Sequence, residues 1–187
     1  DIVFSFWLQT LILSMQPLET TRLRLRFITF DDAPFILKLY NTSGFLRFVG
    51  NKRLSTESDA EHYIENAFLT MERDKGVSLL VVEEKQTSTP IGVCGLIKRE
   101  ILDAYDVGYG FLPQATGKGY GTESVLAVIR YAEQQEHIDE LVAITTADNE
   151  ASKALLNKAG FQFAKTQQVL EDGRALLLYS LTLRQYD

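Results

Sequence analysis

Polar and apolar residues alternate strictly from Arg22 to Phe27. Arg22, Arg24 and Arg26 share one face and Leu23, Leu25 and Phe27 the other, the period of a half-buried strand whose arginine row is expected to be solvated. Asp31 and Asp32 then open a short helix carrying Phe35, Ile36 and Leu39 on one side. Asn41-Thr42-Ser43 has the form of a glycosylation sequon but reads as a helix end, and a looser segment follows. Ser58-Asp59-Ala60-Glu61 reads as a capping box opening a helix to about Arg73, with Gly76 placed as its C-terminal cap. Residues 77–85, 91–99 and 105–113 read as strands, the first two separated by the turn-forming run Gln86-Thr87-Ser88-Thr89-Pro90. Beyond Gly119 the period becomes helical, with Val125, Leu126, Val128, Ile129 and Ala132 on the buried face of a helix ending near His137. A short apolar strand, 141–146, precedes a second helix, 149–159, expected to bury Ala151, Ala154, Leu155 and Leu156 before Gly160. Strands at 161–170 and 174–183 flank the hairpin signal Glu171-Asp172-Gly173. This order describes one α+β domain with a mostly antiparallel sheet and a central β-α-β-α run, without repeat, linker or low-complexity tract.

Composition narrows the function more than the fold. The 187 residues are 45% hydrophobic, ordinary for a globular domain. A formal charge of −6 argues against a nucleic-acid binder and suits a cationic small molecule or a basic peptide better. One cysteine, Cys94, sits in an apolar strand; it excludes an internal disulfide and a cysteine-clustered zinc site. His62 and His137 have no partner pattern for a metal or a nucleophile, and Ser152 has no adjacent His or Asp for a hydrolase triad. The first fourteen residues are apolar and lack any basic residue, unlike a secretory signal, and are too short for a membrane helix of ~20 residues. Met15 followed by Gln16-Pro17-Leu18-Glu19 reads as the start of a domain over residues 15–187. Residues 1–14 are then either an apolar leader foreign to it or a segment that docks on a neighbouring subunit or a surface groove. No membrane partner and a cytoplasmic location are expected.

The stretch Gln114-Ala115-Thr116-Gly117-Lys118-Gly119-Tyr120-Gly121-Thr122-Glu123 lies between a strand and a helix, where free N–H groups and a positive helix end favour an anion. Two nucleotide motifs fail here. A P-loop needs Gly at 112 and Ser or Thr at 119, where Leu112 and Gly119 stand, and the dinucleotide fingerprint needs Gly at 122, where Thr122 stands. Gln114, Gly117 and Gly119 instead match the Arg/Gln-x-x-Gly-x-Gly/Ala pattern, and the chain resembles the GNAT superfamily of N-acetyltransferases. Asp106-Val107-Gly108-Tyr109 and Gly119-Tyr120-Gly121-Thr122-Glu123 resemble the ribosomal-protein N-terminal acetyltransferase branch, the RimJ/RimL type. A second motif runs from Asn149-Glu150-Ala151-Ser152 to Asn157-Lys158-Ala159-Gly160-Phe161, so the likeness covers about Leu18 to Leu183.

That resemblance implies a sheet of six or seven strands splayed between its fourth and fifth members, with helices on both faces. It implies acetyl-CoA as acyl donor, its diphosphate held by Gln114, Gly117, Lys118, Gly119, Tyr120, Gly121 and Thr122. Phe111 and Leu112 would give main-chain contacts to the pantetheine arm, with Asn149 on the other side and Asn157 near the far half of the cofactor. Asn149 serves equally as a helix N-cap. An amide near Phe111 is the expected oxyanion donor, and Asp106 the acceptor of the amine's proton, directly or through water. Glu123 also fits the family pattern, though its charge at a helix start explains it without catalysis. One position departs: the tyrosine that many members place four residues before the Gly-Phe pair is Leu156 here. A thiol leaving group near pKa ~8.5 needs little help, and Tyr120 or a water are the remaining donors. The acceptor is an amine, a peptide N-terminus or a small molecule, walled by the first helices and the last hairpin, in a monomer or homodimer. A non-catalytic acyl-CoA sensor and a structural dimerisation module are the alternatives.

Overall fold

The computed structural model describes residues 15–183. The apolar leader 1–14, and with it the expected docking contact, lies outside the described residues. The sheet has eight strands: β1 (Leu18–Glu19), β2 (Leu23–Arg26), β3 (Leu79–Glu84), β4 (Thr89–Ile97), β5 (Tyr105–Phe111), β6 (Glu140–Thr146), β7 (Gln162–Val169) and β8 (Ala175–Thr182). Their spatial order is β1-β2-β3-β4-β5-β6-β8-β7, antiparallel throughout except for β5 against β6. The strand beyond the expected seven is β1, whose two residues are too few to leave a period in the sequence. Sheet and helices have the arrangement that the resemblance implies, with strands four and five of the family pattern at β5 and β6.

Helices cover both faces because β3 and β4 are apolar on both. Leu80, Val82 and Cys94 belong to a core shared with α5 (Tyr120–Glu133) and α6 (Glu150–Ala159). Leu79, Val81 and Val93 face the other way, into a core shared with α1 (Ala33–Tyr40), α2 (Ser43–Phe48) and α3 (Glu57–Tyr63). The capping box of α3 lies two residues earlier than its sequence suggests: Thr56 accepts from the Asp59 N–H, and Asp59 accepts from the Thr56 N–H. The helix widens into a π-helical stretch, Ile64–Leu69, before α4 (Thr70–Lys75) ends on Gly76 in the left-handed region. Thr42 caps α2, the helix hidden in the looser segment. On α6 the buried positions are Ser152, Leu156 and Ala159, while Ala151 and Ala154 are exposed. The small residues there mark helix propensity rather than burial.

The arginine row of β2 is not free in water. Arg26 donates to Glu83 at 2.6 Å and grips both oxygens of Asp32 at 2.8 Å each, and Asp32 also takes the Thr29 N–H. This ties the turn that starts α1 to the sheet. Burial raises the Asp32 pKa, but the Arg26 and Thr29 hydrogen bonds outweigh it and hold the carboxyl below its ordinary value. Asp32→Asn is expected to destabilise the protein by about 2 kcal/mol at neutral pH, measured by urea unfolding. A depressed native pKa means the contribution is complete above about pH 5 and is lost as pH falls through the native value. The difference between wild type and variant therefore narrows in acid; a difference constant from neutral pH into acid would contradict the ionic role.

Candidate active site

β5 and β6 register as neighbours only at Tyr105↔Leu141 and Asp106↔Val142, and then part. Each remains paired on its other side, β5 to β4 through Gly92↔Phe111 and β6 to β8 through Thr146↔Leu176. A cleft of about 710 Å³ passes through the gap. Asp106 and Gly108 line it from the face that carries α1 to α4, Tyr109 and Ser152 from the face that carries α5 and α6. Aromatic side chains of the first helices, Tyr40, Phe45, Phe48 and Tyr63, and Gln167, Gln168 and Leu170 of the last hairpin complete its walls.

Beyond Phe111 the chain makes a short 3-10 turn, Pro113–Ala115, and enters α5 through Gly119, its N-cap. Gly117 and Gly119 have φ of 74° and 79°, the region where side-chain-bearing residues are strained. That alternation turns successive N–H groups the same way, as in an anion-binding nest. No hydrogen bond within the described residues takes the amides of 117–122. The loop is braced from behind by residues the sequence pattern left solvated. Arg22 donates to the Lys118 carbonyl at 3.0 Å and to Glu123 at 2.7 Å, and Glu123 also accepts from the Thr20 hydroxyl and the Arg22 N–H. Burial pushes the Glu123 pKa up, but these donors bring it below the ordinary value. Its role is structural.

The structure sorts the remaining site residues. Both main-chain groups of Leu112 are engaged, its N–H by the Ile91 carbonyl and its C=O by the Ala115 N–H, and its side chain is core. The Leu112 N–H is thus committed to β4, while its carbonyl keeps a second lone pair. Because alternate amides along a strand point to opposite edges, the N–H of Phe111 faces the gap. Asn149 caps α6 through the Ser152 N–H and also lines the cleft. Gln114 and Lys118 are exposed, and the loop residues 114–122 and Asn157 lie outside the cleft lining. Tyr120 is no substitute proton donor: its hydroxyl donates to Glu84 at 2.7 Å and Arg22 covers its ring. Leu156 is fully buried, and so is Cys94, whose thiol pKa burial pushes up. Among the described residues no cluster of His, Cys, Asp and Glu could hold a metal, and no helix is long and apolar enough to cross a membrane.

Two side-chain contacts flank the gap. The Asp106 carboxylate, 3% exposed, accepts from Arg99 Nε at 2.6 Å through one oxygen. Burial raises its pKa, opposed by Arg99. The other oxygen, Oδ1, takes no hydrogen bond from the described residues. Across the sheet, the Tyr109 and Ser152 hydroxyls lie 2.7 Å apart. This pair was not legible in the sequence, where 43 residues separate its members.

The matching family model is the acetyltransferase (GNAT) domain, over residues 22–162. An uncharacterized N-acetyltransferase of Bacillus subtilis (strain 168), YoaA, is 29% identical over 147 residues, 78% of this chain and 82% of its own. In fold the chain is similar to RimL, a ribosomal L7/L12 alpha-N-protein acetyltransferase in complex with coenzyme A, with a TM-score of 0.80 at 16% identity over 90% of this chain and 98% of that one. It is also similar to the ribosomal-protein-S5-alanine acetyltransferase of Vibrio fischeri, with a TM-score of 0.74 at 19% identity over 92% and 100%. With the domain model matched over most of its length, and with strands that part beside a glycine-rich helix entrance, the chain belongs to the GNAT family of acetyltransferases and is an acetyl-CoA-dependent N-acetyltransferase.

Proposed function

We propose that the protein moves the acetyl group of acetyl-CoA directly to a primary amine held in the aromatic cleft, a protein N-terminal α-amine or a small molecule. The observation that carries this reading is the parting of β5 from β6, which opens a cleft that Asp106, Tyr109, Asn149 and Ser152 line. The amides of 117–122 suit a diphosphate, with Lys118 as an added charge and Gln114 and Thr122 at the edges of the bend. Bound acetyl-CoA supplies an activated acetyl thioester. The Phe111 N–H offers a donor for the carbonyl oxygen at the gap, and Asn149 approaches the arm from the other strand. Asp106 Oδ1 receives the amine's proton, directly or through a water. The Tyr109–Ser152 hydroxyl pair holds a proton for the leaving thiol, the part that Leu156 cannot play.

The test of the donor site is Gly119→Ala. A Cβ there forces a left-handed residue and comes within 3.4 Å of Arg22 Nη2. The strain of about 1–2 kcal/mol lowers Tm by roughly 2–8 °C and weakens acetyl-CoA binding in calorimetry; unchanged affinity would remove the loop from the donor site. For the chemistry, Asp106→Asn is expected to lower kcat by about 10²-fold or more while acetyl-CoA affinity is kept. Tyr109→Phe, which leaves Ser152 in place, is expected to slow thiol release less than tenfold, since the thiol leaves readily. Acetyl-CoA binding without thiol release from any amine would identify a sensor instead.

A further inference from the structure

Arg99 follows the end of β4, where a solvated side chain is the ordinary expectation. Instead its Nε is fixed on the buried Asp106 carboxylate at 2.6 Å, while the guanidinium remains about half exposed and lines the cleft. Within the described residues the guanidinium makes no other hydrogen bond, so the N–H groups of both terminal nitrogens are left for a ligand. Lys98, beside it, is already engaged by the carbonyls of Leu102 and Asp103. The nearby carboxylates on the cleft wall, Asp74 and Glu100, are exposed and form no ion pair with Arg99. Asp106 thus serves two purposes: it orients a fork of donors and keeps its second oxygen open alongside them.

We infer that Arg99 selects acceptors in which a carboxylate stands on the carbon next to the amine, so that the preferred substrate is an α-amino acid with an apolar or aromatic side chain rather than a peptide N-terminus. This rests on the transferase reading above. The planar guanidinium matches a carboxylate as a fork matches a fork, which a lysine would not. Amine and carboxylate of an α-amino acid lie about 3 Å apart, the separation of neighbouring groups in a hydrogen-bonded Arg–Asp pair. The carboxylate goes to Arg99, the amine to Asp106 Oδ1, and the side chain to the wall formed by Tyr40, Phe45 and Tyr63. A peptide N-terminus offers a neutral amide where the fork expects an anion.

The experiment compares phenylalanine, phenylalanine amide, phenethylamine and a phenylalanine-initiated dipeptide as acceptors, by thiol release, for wild type, Arg99→Lys and Arg99→Gln. The wild type is expected to favour phenylalanine over its amide at least tenfold in kcat/KM. Arg99→Gln is expected to lower kcat for all acceptors alike through Asp106, but to raise the KM for phenylalanine about 10- to 100-fold relative to that for its amide, with acetyl-CoA affinity within twofold, and so to erase the preference; Arg99→Lys recovers part of it. Equal or better use of the amide or dipeptide by the wild type, or a preference that survives Arg99→Gln, overturns the inference. If no amine releases thiol, the transferase reading fails by itself, and Arg99 is judged by binding. A thermal shift from phenylalanine that its amide does not give, and that Arg99→Gln loses, supports the carboxylate site; its absence in the wild type sinks it.

Discussion

An unpaired strand edge inside a protein is costly, because each N–H and C=O turned away from water needs a partner. The architecture here depends on creating such an edge and keeping it. β5 satisfies one side of its backbone against β4 along its length and β6 does the same against β8, so neither needs the other for its core pairing. Their two shared register positions hold the pair together at one end, and Asp106 sits in that last closed position. Farther along, where the strands have parted, the Tyr109 hydroxyl meets Ser152 on α6. The gap therefore opens between two strands that are each paired on their other side, and what its edges lack is hydrogen-bond partners, which an amide-bearing arm can provide.

The same economy of parts governs the supports. β2, four residues long, carries arginines that work in opposite directions. Arg26 draws in Asp32 and Glu83 to fix the start of α1 on the cleft side, while Arg22, just ahead of the strand, draws in Glu123 to fix the start of α5 on the loop side. Both pairs are bidentate or multiply bonded, and Asp32 and Glu83 are nearly buried, so they hold position better than isolated surface pairs do. The loop's backbone geometry needs this help, because Gly119 as an N-cap brings no side chain of its own to the helix entrance.

What could be read from sequence alone follows from range. Helix and strand periods, the Gly76 and Gly160 caps and the bend around Gly117–Gly119 are local, and each was legible from a few neighbouring residues. β1 and α2 escaped because two and six residues leave too little periodicity. The side-chain partners escaped for a different reason. Arg22 meets Glu123 across 101 positions and Arg26 meets Glu83 across 57, so a row of arginines alternating with leucines carries the same pattern whether it is solvated or gripped. Leu112 was assigned to the pantetheine arm by its place in a motif, yet a strand's alternation gives its amide to β4 and turns that of Phe111 to the gap. Only the pairing partner decides which of two neighbours is available.

Whole-chain charge says little about a single site. The balance of −6 suits a cationic partner, but charge acts over about a Debye length and is dominated at a site by what is fixed there. At the floor of the cleft an acid and a base are already hydrogen-bonded to one another, and the group with open donors is the guanidinium. β5 extends this local logic through its two-residue period. Asp106 lies on the face shared with Gly108 and Gly110, where only glycines leave room beside Phe45 and Leu79, and Tyr109 lies on the opposite face. In the proposed reaction, proton acceptor and proton donor are thus carried by one strand but separated by the sheet itself. Each can be tuned by its own neighbours, Arg99 on one side and Ser152 on the other, without a direct contact that would let the two neutralise each other.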